Sequence, residues 1–158
     1  MLIDPSNSHC QFIIGDSEPF FIRLYSLTVL LKSPHQELED LIKKIKTRLI
    51  LSPEAEEFLY SISKEKTLRK GEVLIRQGQV VKNTFFVSAG CLRSYCTDKN
   101  GKENTLLFAI KDWWISDYIA IHTDELATLT VECLTESKVI EFNAKELDGI
   151  HSLFPEFE

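Results

Sequence analysis

Three glycines pace the stretch from Leu68 to Gly90, LRKGEVLIRQGQVVKNTFFVSAG, and that pacing constrains the fold more than any other feature. Gly71, Gly78 and Gly90 stand between short runs of aliphatic and aromatic residues, with apolar pairs at Val73-Leu74 and Phe85-Phe86. Runs this short, ended by residues that accept positive φ, read as strands closed by tight turns. Such strands cannot bury a face alone and must roll up against others.

The strand period runs on downstream. Cys91–Thr97 and Lys102–Ile110 flank Asp98-Lys99-Asn100-Gly101, a polar break whose Asn-Gly predicts a hairpin with Gly101 in its turn. Ala127–Leu134 and Val139–Phe142 supply two further strands. Before Thr67 the period is helical. Ser33-Pro34-His35-Gln36 predicts a capping box with Pro at the first helical position, and Leu38, Leu41, Ile42 and Ile45 follow at helical spacing. A second helix from Ser52-Pro53 turns Ala55, Phe58, Leu59 and Ile62 inward. A last helix opens at Asn143, pairs that cap with Glu146, carries Leu147, Ile150 and Phe154, and ends at Pro155. Helices, many short strands, then a helix predict a mainly-β domain, an antiparallel β-roll with flanking helices.

Composition bounds the function. With 158 residues and a net charge of −6, the chain has room for one domain, and its charge argues against direct nucleic-acid binding. The basic group Lys43, Lys44, Lys46 and Arg48 follows the acids of the same helix one turn earlier, which predicts a solvated helix face. Residues 1–32 read as an N-terminal extension ahead of a domain at 33–158. Its apolar run Phe20–Leu31 is interrupted by Arg23 and is shorter than the roughly 20 residues of a membrane span. Cys10, Cys91, Cys96 and Cys133 form no paired motif, as expected of thiols in a reducing cytoplasm. Histidines at positions 9, 35, 122 and 151 give no metal-binding spacing, and no nucleophile stands in a supporting context, so no catalysis is expected. The Asp117, His122 and Asp124 group carries ligand atoms but matches no defined metal site.

Leu74, Ile75, Gly78, Gln79, Phe85, Phe86, Val87 and Gly90 also carry a specific resemblance. On them the chain resembles the cyclic-nucleotide-binding domain at the N-terminus of Crp/Fnr-type bacterial transcription regulators. The pattern is broken at Val81, where a small residue is usual, and at Thr84, where an apolar one is. The resemblance covers about Gln36 to Glu158 and implies a jelly-roll, or double-stranded β-helix, of that domain type. It also implies a ligand site inside the roll, where Gly-Glu binds a ribose and Arg followed by Ser or Thr grips a cyclic phosphate.

The segment corresponding to that site is Lys111-Asp112-Trp113-Trp114-Ile115-Ser116-Asp117-Tyr118. Asp112 and Trp113 match the family's Gly-Asp-Phe start, which puts the Gly-Glu pair on Ile115 and Ser116. The phosphate Arg falls on Ala127 and its hydroxyl neighbour on Thr128. By family position the pocket residues are therefore Trp114, Ser116, Asp117, Ala127 and Thr128. Asp117 could replace the missing carboxylate only with a shift of one place. No Arg follows Arg93, and Asp112, Asp117, Asp124 and Glu125 make the region acidic, which opposes a phosphate. Trp113-Trp114 could stack a flat ligand, or divide into one core ring and one over the mouth of the roll. Ser116 and Thr128 could meet a ligand or cap a short helix.

These residues predict the effector-binding domain of a Crp/Fnr-like transcription regulator whose degenerate pocket does not bind cyclic AMP in the usual way. The cassette DWWISD is similar to that of the divergent Bacteroidetes-type regulators. No cofactor is expected, and cyclic nucleotide is disfavoured as a ligand. The expected partners are a small-molecule effector and a second copy or another protein, with no membrane contact. The chain stops near the start of the family's long helix, so the dimer helix and helix-turn-helix are expected to be absent. The competing prediction is a ligand-free β-roll acting as a protein-interaction module.

Overall fold

The computed structural model describes residues 35–157, which belong to one unit of the chain, His35–Glu158. The expectations for residues 1–32, Cys10 and the box at Ser33-Pro34 lie outside the described residues. Two helices come first, α1 (Gln36–Lys46) and α2 (Pro53–Ser61), then β1 (Ser63–Leu68), β2 (Val73–Ile75), β3 (Asn83–Ala89), β4 (Cys91–Thr97), β5 (Glu103–Ile110) and β6 (Trp114–Ile115). A short helix α3 (Tyr118–Thr123) precedes β7 (Thr130–Cys133) and β8 (Ser137–Asn143). Helices α4 (Ala144–Asp148) and α5 (Ile150–Leu153) and a 3₁₀ turn at Pro155–Phe157 complete the element order.

The strands form two four-stranded antiparallel sheets, β1-β8-β3-β6 and β2-β7-β4-β5. Strand alternation sorts their side chains. Phe85, Val87, Ile115 and Val139 point between the sheets and meet Leu92, Ala109, Val131 and Ile75 from the other side. Phe86, Ile140 and Phe142 point the other way, onto Leu38, Leu41 and Ile42 of α1 and Leu59 of α2. The fold thus has two cores sharing one sheet. This is the mainly-β roll with flanking helices that the glycine-paced strands predict.

Local differences from the sequence pattern have identifiable causes. Helix α1 takes His35 as its N-cap, and no side-chain cap bond is made there. Instead the Leu38 N–H donates to Glu65 Oε1 on β1 at 2.7 Å, so a carboxylate from a distant strand satisfies the helix end. Ser52 caps α2 as expected, its hydroxyl accepting from Ala55 N at 3.2 Å. Asn143 caps α4 by accepting from Lys145 N and Glu146 N, but the final helix is interrupted at Gly149. Strand β1 begins at Ser63 rather than Thr67: SKEKTL shows no apolar alternation, and pairing from Ser63–Phe142 to Leu68–Ser137 on β8 makes it a strand. Strand β7 begins at Thr130 rather than Ala127, because residues 126–129 take part in the site described below.

The turn glycines Gly71, Gly78, Gly90 and Gly101 all have φ between +81° and +91°. Two of them differ in what surrounds them. Nothing lies within 4 Å of a Cβ built at Gly78, whereas one at Gly90 would stand 2.6 Å from the Glu136 carbonyl oxygen and 2.7 Å from Ser137 Cα. Gly90→Ala is therefore expected to cost roughly 3 kcal/mol or more, against about 1 kcal/mol for Gly78→Ala, in paired chemical denaturation curves. Equal costs would mean that the β3–β4 turn is not packed against the β7–β8 turn.

Candidate functional site

The cassette begins where β5 hands over to β6. Asp112 has φ +71°, a left-handed conformation that aspartate tolerates, and its carboxylate pairs with Lys44 of α1. The tight turn is closed by Trp113 N donating to Ile110 O at 3.1 Å, and Asp112 N donates to Val87 O at 2.8 Å. Trp113 is half exposed. Strand β6 is only two residues long, yet its pleat decides two roles. Ile115, opposite Phe85, enters the interior of the roll, and Trp114, opposite Phe86, points to the helical side. There Trp114 lies 5.2 Å from the Phe86 ring and 5.4 Å from the Phe142 ring, and it lines a cavity of about 290 Å³ with α1, α2 and α5. Trp114 therefore does not join Ser116, Ala127 and Thr128 in one pocket.

The centre of the site is Asp117. Its side chain is fully buried at 1% exposure, and its Oδ1 accepts from Ala120 N at 3.1 Å, capping α3. Oδ2 accepts from Thr128 N at 2.7 Å, from Thr128 Oγ1 at 2.9 Å and from Leu129 N at 3.1 Å. One carboxylate thus takes four hydrogen bonds and joins the segment after β6 to the segment before β7. Burial alone raises its pKa, but the bonds from Ala120, Thr128 and Leu129 outweigh it and hold Asp117 below its usual value of 3.8.

The other predicted residues are equally engaged. Ser116 is buried, and its hydroxyl donates to Asn83 O at 2.8 Å. Ala127, 4% exposed, packs into the interior core, while its backbone exchanges hydrogen bonds with the Gly78 turn. Gly78 N donates to Ala127 O at 2.7 Å, and Ala127 N donates to Gln79 O at 2.8 Å. Thr128 is exposed apart from its bonds to Asp117. Ser116, Asp117, Ala127 and Thr128 line none of the cavities of about 600, 290 and 260 Å³ among the described residues. The cap of α3 is Asp117 and not Ser116. Sequence reasoning missed this carboxylate's structural role, although an Asp one residue ahead of a short helical run is a capping signal.

Among the described residues, no arginine reaches the cassette. Arg93, the last one in the chain, lies on the outer face of the second sheet, where it donates to Glu132 at 2.7 Å and Glu103 at 2.6 Å and stacks over Tyr95. His122 and Asp124 do not gather with Asp117: no group of three or more His, Cys, Asp or Glu among the described residues is placed to hold a metal. No helix among them is long and apolar enough to cross a membrane.

Two packed antiparallel sheets with a helix inserted between β6 and β7 define a jelly-roll binding domain. The residue pattern of the cyclic nucleotide-binding domain matches residues 65–152, more than half of the chain, and the chain belongs to that family. It is 26% identical over 95 residues to the transcriptional activator protein FnrA of Stutzerimonas stutzeri, a match covering 60% of this chain and 38% of FnrA. The sensor domain of the transcriptional regulator DNR from Pseudomonas aeruginosa superposes with a TM-score of 0.59 at 17% identity, covering 84% of this chain and 79% of that one. The catabolite activator protein of Thermus thermophilus gives 0.56 at 15% identity over 66% of this chain and 49% of that one. The chain thus spans less than half the length of FnrA and of the Thermus protein.

Replacing Asp117 tests the geometry directly. Asp117→Ala should cost roughly 2–4 kcal/mol, from the lost cap and from amides left without acceptors. Because the folded pKa is depressed, the carboxylate's contribution is present above about pH 4 and is lost as pH falls through the folded value. The stability gap between wild type and Asp117→Asn should therefore narrow when thermal melts at pH 7 are repeated near pH 3. A gap independent of pH would show that the charge on Asp117 does not hold the cassette.

Proposed function

We propose that this chain is the effector-sensing domain of a Crp/Fnr-like transcription regulator whose pocket does not take cyclic AMP in the family's usual way. One observation carries the reading: the donors that should face a phosphate already face a carboxylate. By family position Thr128 supplies the hydroxyl that grips the cyclic phosphate. In this chain the Thr128 hydroxyl, the Thr128 N–H and the Leu129 N–H all converge on Asp117 Oδ2. A second anion at those donors would stand against Asp117, with alanine at 127 in place of the expected guanidinium, and its desolvation would go uncompensated.

The same geometry supports sensing by a different effector. The cassette ties β6 of one sheet to β7 of the other, so a ligand that rearranged it would shift both sheets and bias whatever chain follows the roll. Exposed Trp113, Ile119 and Leu126 on and beside the cassette offer apolar surface for an uncharged effector or for a second copy of the chain. The runner-up, a protein-interaction module without a ligand, rests on the same apolar surface. The Bacteroidetes-type assignment and the boundaries at 1–32 and 33–158 belong to the proposal as well.

Thermal melting with millimolar cyclic AMP and cyclic GMP is the test. Ligand at about 100 times its dissociation constant adds roughly 2.7 kcal/mol, or about 5–10 °C in a domain this size. The proposal expects no shift with either nucleotide and a bound small molecule in native mass spectra of the purified chain. A nucleotide shift of that size would overturn the degenerate pocket. A flat melt together with an empty native spectrum and a copurifying protein would favour the interaction module.

A further inference from the structure

One cavity is lined by none of the cassette residues and has the opposite electrostatics. It measures about 600 Å³, within the range of small-molecule sites, and it opens between the free edges of the two sheets, where β1 and β2 face each other. Its walls carry Lys64, Lys66, Arg76 and Lys82, with Glu72 and Glu141 as the acids. Four cations at one mouth are unexpected in a chain of net charge −6.

Register places two of these cations on the face of β1 that turns toward the roll. Lys64 pairs across the sheet with Glu141, which itself pairs with Phe85, and Lys66 pairs with Val139, which pairs with Val87. Phe85, Val87 and Val139 are interior core residues, so Lys64 and Lys66 occupy inward-facing positions of the roll. Lys66 is partly buried there, and a buried charge needs a partner of opposite sign. Lys66 has one, since it pairs with Glu141. The other groups do not balance. Glu141 is shared with Asn83, and Glu72 accepts from Arg69 N at 3.0 Å in its own turn. Lys64, Arg76 and Lys82 make no ion pair among the described residues. Leu74, Ile75, Val81 and Phe85 give the same cavity an apolar wall.

We propose that this cavity binds a small amphipathic anion, with two negative charges for Lys64, Arg76 and Lys82 and an apolar body for the Leu74–Phe85 wall. Phosphate esters and dicarboxylates share that chemistry. Asp117 does not line this cavity, which meets the cassette only at its rim, where Gln79 accepts from Ala127 N and Asn83 accepts from Ser116.

The test is an amide-shift titration of the full isotope-labelled chain at low salt, with pyrophosphate in one arm and succinate in the other. Binding at this site predicts saturable shifts confined to residues 64–68, 72–85 and 141, and the stronger arm identifies the phosphate or the dicarboxylate class. Lys64 and Lys82 are exposed, so the Lys64→Gln/Lys82→Gln double variant should keep the wild-type melting temperature. It should weaken the binding roughly ten-fold or more, as should Arg76→Gln measured separately. No saturable shift in either arm would overturn the proposal. So would shifts spread over Lys99, Lys102 and Lys145, shifts confined to residues 111–129, or affinity unchanged in both variants.

Discussion

The roll depends on one buried carboxylate. Asp117 follows a strand of the first sheet, and its acceptors draw in the backbone just before a strand of the second. Burying a charge is costly unless hydrogen bonds replace its water, and here four donors do so. The consequences spread outward. The bond to Ala120 starts α3, the bonds to Thr128 and Leu129 delay the start of β7, and the displaced Ala127 engages the Gly78 turn through two backbone bonds. Turn, helix and strand onset thus share one cause.

On the proposed reading, that arrangement separates membership of a family from use of its ligand. The roll, its glycine turns and its inserted helix place the chain in the cyclic nucleotide-binding domain family. On the reading proposed above, the phosphate position is met by an acceptor of the chain's own, since Thr128 and Leu129 already donate to Asp117. Fold and ligand are specified by different residues, and the second set can change while the first is kept.

Much of the architecture was legible because periodicity reports burial. Strands β3 and β4 alternate or run apolar, and the strand pattern of Cys91–Thr97 coincides with β4. β1 was read short for the same physical reason: Lys64 and Lys66 occupy positions where a buried strand would show aliphatics. The bond from Leu38 N to Glu65 at the start of α1 is invisible to a local pattern, because its acceptor is distant in sequence. In the site, family position names Ser116, Asp117, Ala127 and Thr128 as pocket residues but carries no sign of the bonds from Thr128 and Leu129 to Asp117, which join segments distant in sequence. Trp114 was misplaced because a two-residue strand carries no periodicity from which to read its outward face.

The clasp between Asp117 and Thr128 has one more consequence. It closes residues 118–127 into a loop anchored at its base, with Ile119 and Leu126 at 67% and 56% exposure on its outer side. Those outer positions contribute little to holding the sheets together, so they can be exchanged without unfolding the roll. The loop is a place where a lineage can try new surfaces against new partners while the scaffold beneath it stays constant.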